Sequence, residues 1–265
     1  MTLERTGNGV ILGASKEGGT GWTLAETLAK QCRHLTLGAR RREGLDKLAQ
    51  SLNVAAVKCD VTVEAEVEAL AEAAVQAAGP IDTAILVAGE GVRGNIDDIS
   101  ESELQRSLSL NLVGPVYFLR HMARRMERGG SIVLMSSIAA TNPWPGYFSY
   151  GAAKAGLQAL VKYAALEYAP KGIRVNAVIP GPIETSTASA TLSNPNLRNA
   201  VFREIPLGRT ASTQDVADAI AWFALSAPWI TGECVHVDGG MHLRRPPFPD
   251  EMQAALRLPT ETPRG

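Results

Sequence analysis

Seven short runs rich in β-branched and other apolar residues recur along this chain, separated by longer segments with apolar residues at helical spacing. Repeated strand–helix alternation leaves few folds open. Each strand must return in the same direction, so the strands form a parallel sheet with helices on both faces. The connections are expected to be right-handed. The runs are Gly9–Leu12, His34–Leu37, Val54–Val57, Thr83–Val87, Ser131–Met135, Arg174–Val178 and Glu233–Val237. Helices are expected over Trp22–Cys32, Leu45–Leu52, Val63–Ala78, Tyr150–Tyr168 and Gln214–Leu225. A further long helix, Leu104–Met126, contains Pro115, which removes an amide donor and must bend or break it. The pattern predicts an α/β fold, a doubly wound parallel sheet of about seven strands in one domain over residues 1–243. Residues 244–265 turn rich in Pro and Arg and read as an irregular tail.

Composition narrows the function. The 265 residues carry 45% hydrophobic and 20% charged side chains with a net charge of −1. Without a basic excess, nucleic-acid binding is not expected. No apolar run reaches the roughly 18 residues of a membrane span. Met1–Gly9 is polar and lacks the apolar core of a secretion signal. Cys32, Cys59 and Cys234 are scattered and odd in number, which suits reduced thiols in a cytoplasmic protein. The four histidines show no metal-ligand spacing, so no metal is expected.

The first strand runs into Gly13-Ala14-Ser15-Lys16-Glu17-Gly18-Gly19-Thr20-Gly21 before a helix. In that context glycines let the backbone approach a pyrophosphate, and the helix N-terminus offers unpaired N–H groups and a positive dipole end. Gly13, Ser15, Gly19 and Gly21 are the expected contacts. After the second strand come Arg40, Arg41 and Arg42, with no Asp or Glu at the strand end. An acid there would hold the ribose hydroxyls of NAD, whereas Arg accommodates the 2′-phosphate of NADP. The expected cofactor is therefore NADP(H) rather than NAD(H), with Arg40 as first contact and Lys16 and Arg41 assisting.

From Gly9 to Met241 the chain resembles the short-chain dehydrogenase/reductase family, a Rossmann-like group. The resemblance rests on motifs in the family's order: the glycine loop, Asp60-Val61, Ala88-Gly89, Asn111, Ser136-Ser137, Tyr150-x-x-x-Lys154, and Asn176 to Pro180-Gly181-Pro182-Ile183-Glu184-Thr185. Ile230-Thr231-Gly232 and Val237-Asp238-Gly239-Gly240 follow. The resemblance implies that Asp60 and Val61 contact the adenine. It implies that Ala88, Gly89, Pro180, Gly181, Ile183 and Thr185 line the cofactor, Thr185 anchoring the carboxamide. Two departures stand out. Val87 occupies the position of the family's usual Asn, so the bracing that Asn provides must come from elsewhere. The glycine loop is also about two residues longer than the common spacing.

The residues suit hydride transfer at a carbonyl carbon. Negative charge develops on oxygen and must be protonated, and a free Tyr, with a pKa of about 10, exchanges protons poorly at neutral pH. Lys154 lies one helical turn after Tyr150, and its charge is expected to lower the Tyr150 pKa. Ser137, at a strand end, can polarise the substrate oxygen. The resemblance further implies that Lys154 binds the nicotinamide ribose and that Asn111 completes a proton relay through a water. Trp144 and Tyr147 are candidate substrate walls, and Glu90 and Arg93 follow the fourth strand near the expected cleft.

Two other readings remain open from sequence. The long glycine loop resembles the enoyl-thioester reductase branch, which places its Tyr seven residues before the Lys. Tyr147 stands there, so a C=C reductase using Tyr147 competes with a ketone/alcohol oxidoreductase using Tyr150. A remoter alternative is an NADP-binding regulator without turnover. Residues 186–205 are expected to form a lid over the site. Similar proteins pair through the helix after Tyr150, which implies a homodimer or homotetramer acting on a small-molecule carbonyl or alcohol.

Overall fold

Parallel strands one residue in register with their neighbours organise the computed structural model, which describes residues 6–127, 129–184, 193–245 and 249–257. The strands are β1 (Thr6–Leu12), β2 (Cys32–Ala39), β3 (Ala55–Lys58), β4 (Thr83–Leu86), β5 (Gly130–Met135), β6 (Ile173–Pro180) and β7 (Cys234–Val237). They lie in the order β3-β2-β1-β4-β5-β6-β7, every described pair parallel. The order reverses between β1 and β4, where Gly9 pairs with Thr83 and Leu12 with Leu86. A crevice opens at such a reversal because the connections leave β1 and β4 toward opposite faces.

Alternation along the strands divides the core in two. Val10, Leu12, Leu86, Ile132 and Leu134 face one layer, with Phe118 and Leu157. Ile11, Ile85 and Val133 face the other, with Leu24, Leu28 and Phe223. The helices are α1 (Thr20–Leu28), α2 (Arg42–Leu52), α3 (Glu64–Ala78), α4 (Glu101–Leu108), α5 (Gly114–Ala123), α6 (Phe148–Tyr168), α7 (Pro195–Arg203), α8 (Thr213–Leu225) and α9 (Pro249–Arg257). Helices α3, α5 and α6 cover the first face; α1, α2 and α8 cover the second. The single domain with a seven-stranded doubly wound sheet matches the sequence expectation.

Three local readings change. The expected helix Leu104–Met126 is two helices joined by a π-helical turn, Ser109–Val113, immediately before Pro115. A π-turn absorbs the donor that proline removes without ending the rod. The tail expected to be irregular contains α9, which packs on α7 and pairs Arg245 with Glu251; its Pro-rich start hid an amphipathic turn pattern. The first helix stops at Leu28, and Cys32 already belongs to β2. Of the expected lid, residues 193–205 are described and carry α7; residues 186–192 lie outside the described residues.

Phe118 is fully buried among the first-face residues. Phe118→Ala is expected to lower unfolding free energy by about 3–5 kcal/mol through lost burial and a residual cavity, measured by urea denaturation.

Candidate active site

The strand ends at the β1/β4 reversal border a cleft of about 550 Å³. Its floor is the glycine loop: Gly13, Ser15, Lys16, Gly19 and Gly21 all line it. Gly13 has φ +116°, and a Cβ there would meet the Ala88 amide nitrogen at 2.5 Å. Only a residue without a side chain lets β1 turn this close to β4. Helix α1 begins after Gly19, which provides no side-chain cap, and its first turn contains no acid. Its N-terminal amides are thus directed at the cleft with their dipole uncompensated.

At one end lie Arg40 and Arg41, both exposed; neither forms an ion pair among the described residues. The neighbouring charges are otherwise committed: Arg42 pairs with Asp46 at 3.1 Å and Lys47 with Glu17 at 2.7 Å. Asp60 and Val61 form a side wall, Asp60 turning its Oδ1 to the Thr62 amide and hydroxyl. Ala88, Gly89 and Ile183 complete the lining among the expected residues. Glycine floor, helix N-terminus and uncommitted guanidinium groups fit a dinucleotide. Pro180 and Gly181 stand behind this lining, Gly181 donating to Val237 at 3.3 Å. Thr185 lies outside the described residues.

The chemical end begins where Met135 closes the cleft. Lys154 is 2% exposed, and its Nζ donates to the Met135 carbonyl at 2.8 Å. Tyr150, on the same helix, has its ring centroid 5.8 Å from that Nζ. Ser137 Oγ accepts from the Ala139 amide at 3.2 Å, which fixes it at the end of β5. Asn111 sits in the π-helical turn, fully buried. A Cβ placed on Gly89 would lie 3.2 Å from both Asn111 Oδ1 and Lys154 Nζ, so the three groups converge on one point of the cleft wall. Lys154 and Asn111 thus meet beside Gly89, with the Tyr150 ring 5.8 Å from the Lys154 Nζ.

One expectation about their electrostatics is corrected. Burial raises the Tyr150 pKa above its ordinary value, and the Ser137 hydrogen bond only partly offsets this. The Lys154 ammonium donates instead to the Met135 carbonyl. Burial lowers its pKa from 10.5 to about 8. The raised value keeps Tyr150 protonated at neutral pH, the form able to donate a proton.

The bracing lost with Val87 is supplied by Asn111. Its Nδ2 donates to the carbonyls of Glu90 and Ser107, each at 3.0 Å, and its Oδ1 accepts from the Glu90 amide at 3.4 Å. Glu90 lines the cleft and pairs with Arg106, a cleft residue that sequence reasoning missed. Only the fold brings Arg106 there, sixteen residues later. Arg93 does not line the cleft; its Nε donates to the Tyr147 hydroxyl at 2.7 Å. Trp144 and Tyr147 border a separate apolar hollow of about 690 Å³ with Ile96 and Phe148. Tyr147 touches the site through its edge contact with Tyr150, centroids 6.4 Å apart.

Comparisons with known proteins agree with this geometry. Residues 13–242 match a family model described as "Enoyl-(Acyl carrier protein) reductase". The chain is 35% identical to 3beta-hydroxysteroid dehydrogenase 1 of Eggerthella lenta, covering 88% of this chain and 93% of that one. It is 32% identical to 1-cyclohexenylcarbonyl-CoA reductase of Streptomyces collinus, over 98% of this chain and 95% of that one. A solved short-chain type dehydrogenase/reductase from Mycobacterium ulcerans superposes with a TM-score of 0.89 at 28% identity, covering 97% of this chain and 98% of that one.

The Lys154 shift makes a stability prediction. Its folded pKa, about 8, lies below the ordinary 10.5, so burying the charge destabilises the fold below pH 8 and the penalty fades between pH 8 and 10.5. The shift corresponds to roughly 3 kcal/mol, less about 1 kcal/mol for the hydrogen bond to Met135. Lys154→Met is expected to be inactive yet more stable than wild type at pH 7. Urea melts at pH 7 and pH 10 should show that advantage shrinking at the higher pH.

Proposed function

The chain belongs to the short-chain dehydrogenase/reductase family of oxidoreductases, and from that premise we propose that it moves a hydride between NADP(H) and a ketone or secondary-alcohol carbon. The observation carrying this reading is the meeting of buried Lys154 and Asn111 beside Gly89, with the Tyr150 ring 5.8 Å from the Lys154 Nζ. The nicotinamide supplies or accepts the hydride when bound; the protein handles position and the proton. Ser137 donates a hydrogen bond to the substrate oxygen and orients Tyr150. Tyr150 protonates the oxygen in reduction and removes the proton in oxidation. Lys154 holds positive charge next to both and contacts the ribose, and Asn111 keeps the Gly89–Glu90 backbone in place.

The uncommitted Arg40 and Arg41 support a 2′-phosphate on the adenosine ribose, which favours NADP(H). Residues 186–205 act as the lid over the substrate side. Helix α6 leaves an apolar stripe exposed, with Tyr163 66% and Leu166 75% accessible, which supports pairing of two chains into a dimer or tetramer. No described helix is long and apolar enough to cross a membrane.

A second reading has its own support. The Streptomyces collinus relative and the matched family description both name reductases of unsaturated thioesters. That chemistry would use Tyr147, but its hydroxyl is held by Arg93 and borders the apolar hollow. We rank it second for that reason.

NADPH oxidation against a panel of ketones and enoyl thioesters separates the two. Tyr150→Phe is expected to lower ketone turnover by about 10²–10⁴-fold, with Tyr147→Phe altering KM more than kcat. Loss of enoyl-thioester turnover in Tyr147→Phe alone would make the second reading correct. Arg40→Glu is expected to raise KM for NADPH by at least about tenfold, through a lost charge-assisted contact and a new repulsion, and to leave KM for NADH little changed.

A further inference from the structure

The histidine spacing carries no sign of a ligand set in the sequence, yet folding gathers two of the four histidines around a buried acid. His236, Asp238 and His242 each offer one ligand atom, and those atoms all lie within 4.8 Å of one another. His236 comes from β7, Asp238 from just beyond it, and His242 from a 3₁₀ turn, Met241–Leu243. Between them Gly239 and Gly240 both take positive φ, +63° and +86°. A Cβ on Gly239 would press on Ile205 at 2.7 Å, and one on Gly240 would meet Pro206 at 3.0 Å. The double glycine folds the loop back over Asp238 and seats it against the chain that follows α7.

Part of this cluster has an ordinary explanation. Asp238 is 5% exposed and caps the turn, accepting from the Gly240 amide at 3.0 Å and the His242 amide at 2.9 Å. Its oxygens also lie 2.9 and 3.1 Å from His242 Nδ1. His236 is not explained that way. Its ring stacks on His242, centroids 4.1 Å apart and planes 22° from parallel. Its Nε2 is sealed from solvent with no hydrogen-bond partner among the described residues. A buried imidazole nitrogen left unpaired is unfavourable unless something meets it.

We propose that His236, Asp238 and His242 form a structural divalent transition-metal site, with Zn²⁺ the best-matched ion. Two imidazoles and a carboxylate are a donor set that Zn²⁺ takes with a water in the fourth position. Tetrahedral zinc ligands at about 2.0–2.2 Å from the metal stand roughly 3.3–3.5 Å apart, so binding turns the two stacked rings edge-on toward a shared ion. His242 needs only to move its proton to Nε2 to free Nδ1. The bound ion meets the orphan His236 nitrogen and ties the end of β7 to the Met241–Leu243 turn. Asp238 also backs Gly181, where a Cβ would meet its Cβ at 2.9 Å, so the clamp stiffens the loop behind the cofactor cleft. The role is mechanical, since none of the three residues lines that cleft.

The test uses untagged full-length protein freed of metal by chelator and titrated with Zn²⁺ by calorimetry, with Co²⁺ as a spectroscopic probe. The expected result is one Zn²⁺ per chain, a rise in Tm on binding, and an intense visible Co²⁺ band of the tetrahedral type. His236→Gln and His242→Ala should each weaken Zn²⁺ binding at least 30-fold while NADPH binding, followed by fluorescence, stays unchanged. His242 is the more exposed of the two, so His242→Ala decides the matter if His236→Gln fails to fold. No stoichiometric Zn²⁺ binding by wild type, or equal binding by His242→Ala, overturns the proposal.

Discussion

Lys154 donates its ammonium to the Met135 carbonyl at 2.8 Å, with almost none of the side chain reaching solvent. That bond joins the first turns of α6 to the last residue of β5. Ser136 and Gln158 reinforce the joint: Ser136 Oγ donates to the Lys154 carbonyl at 3.4 Å and accepts from Gln158 Nε2 at 3.1 Å. Tyr150 is carried on the same helix and Ser137 follows the same strand, so their contact is set by this junction. A buried ammonium with one neutral partner is destabilising by itself, a tension between stability and chemistry common at catalytic sites.

The sheet supplies the other half of the geometry. A parallel sheet points all its carboxyl ends one way, and the β1/β4 reversal opens a gap among them. The glycine loop fills the gap from one side and α6 from the other. Close approach at Gly13 and Ala88 lets one cleft extend from Arg40 and Arg41 to Met135 and Gly89. The two ends of the cleft are thereby joined through the strands that border it.

The π-helical turn at Ser109–Val113 links two features that seem unrelated along the chain. Pro115 disfavours a regular helix there, and the widened turn carries Asn111 inward at full burial. That amide then clamps Glu90, doing for the β4 exit what the missing Asn at Val87 does not. A departure in one motif is thus offset by the side chain of another, which lies twenty-four residues further on in sequence and in direct contact in space.

Sequence alone determined the strands, the parallel sheet and the glycine-loop context, because strand periodicity and glycine are local signals. It also located Arg40 and Arg41, since a strand end without an acid is visible in the chain. Tertiary structure decided what depends on burial and on residues distant in sequence. Desolvation, which no spacing reports, raised the Tyr150 pKa and lowered that of Lys154. Arg106 entered the cleft through its pairing with Glu90, and Tyr147 was turned to Arg93 rather than to Lys154. His236 and His242 met only because two left-handed glycines folded the chain back over Asp238. The physical reason is the same throughout: local pattern dictates backbone conformation, while electrostatics and partnership depend on which surfaces the packed sheet and helices exclude from water.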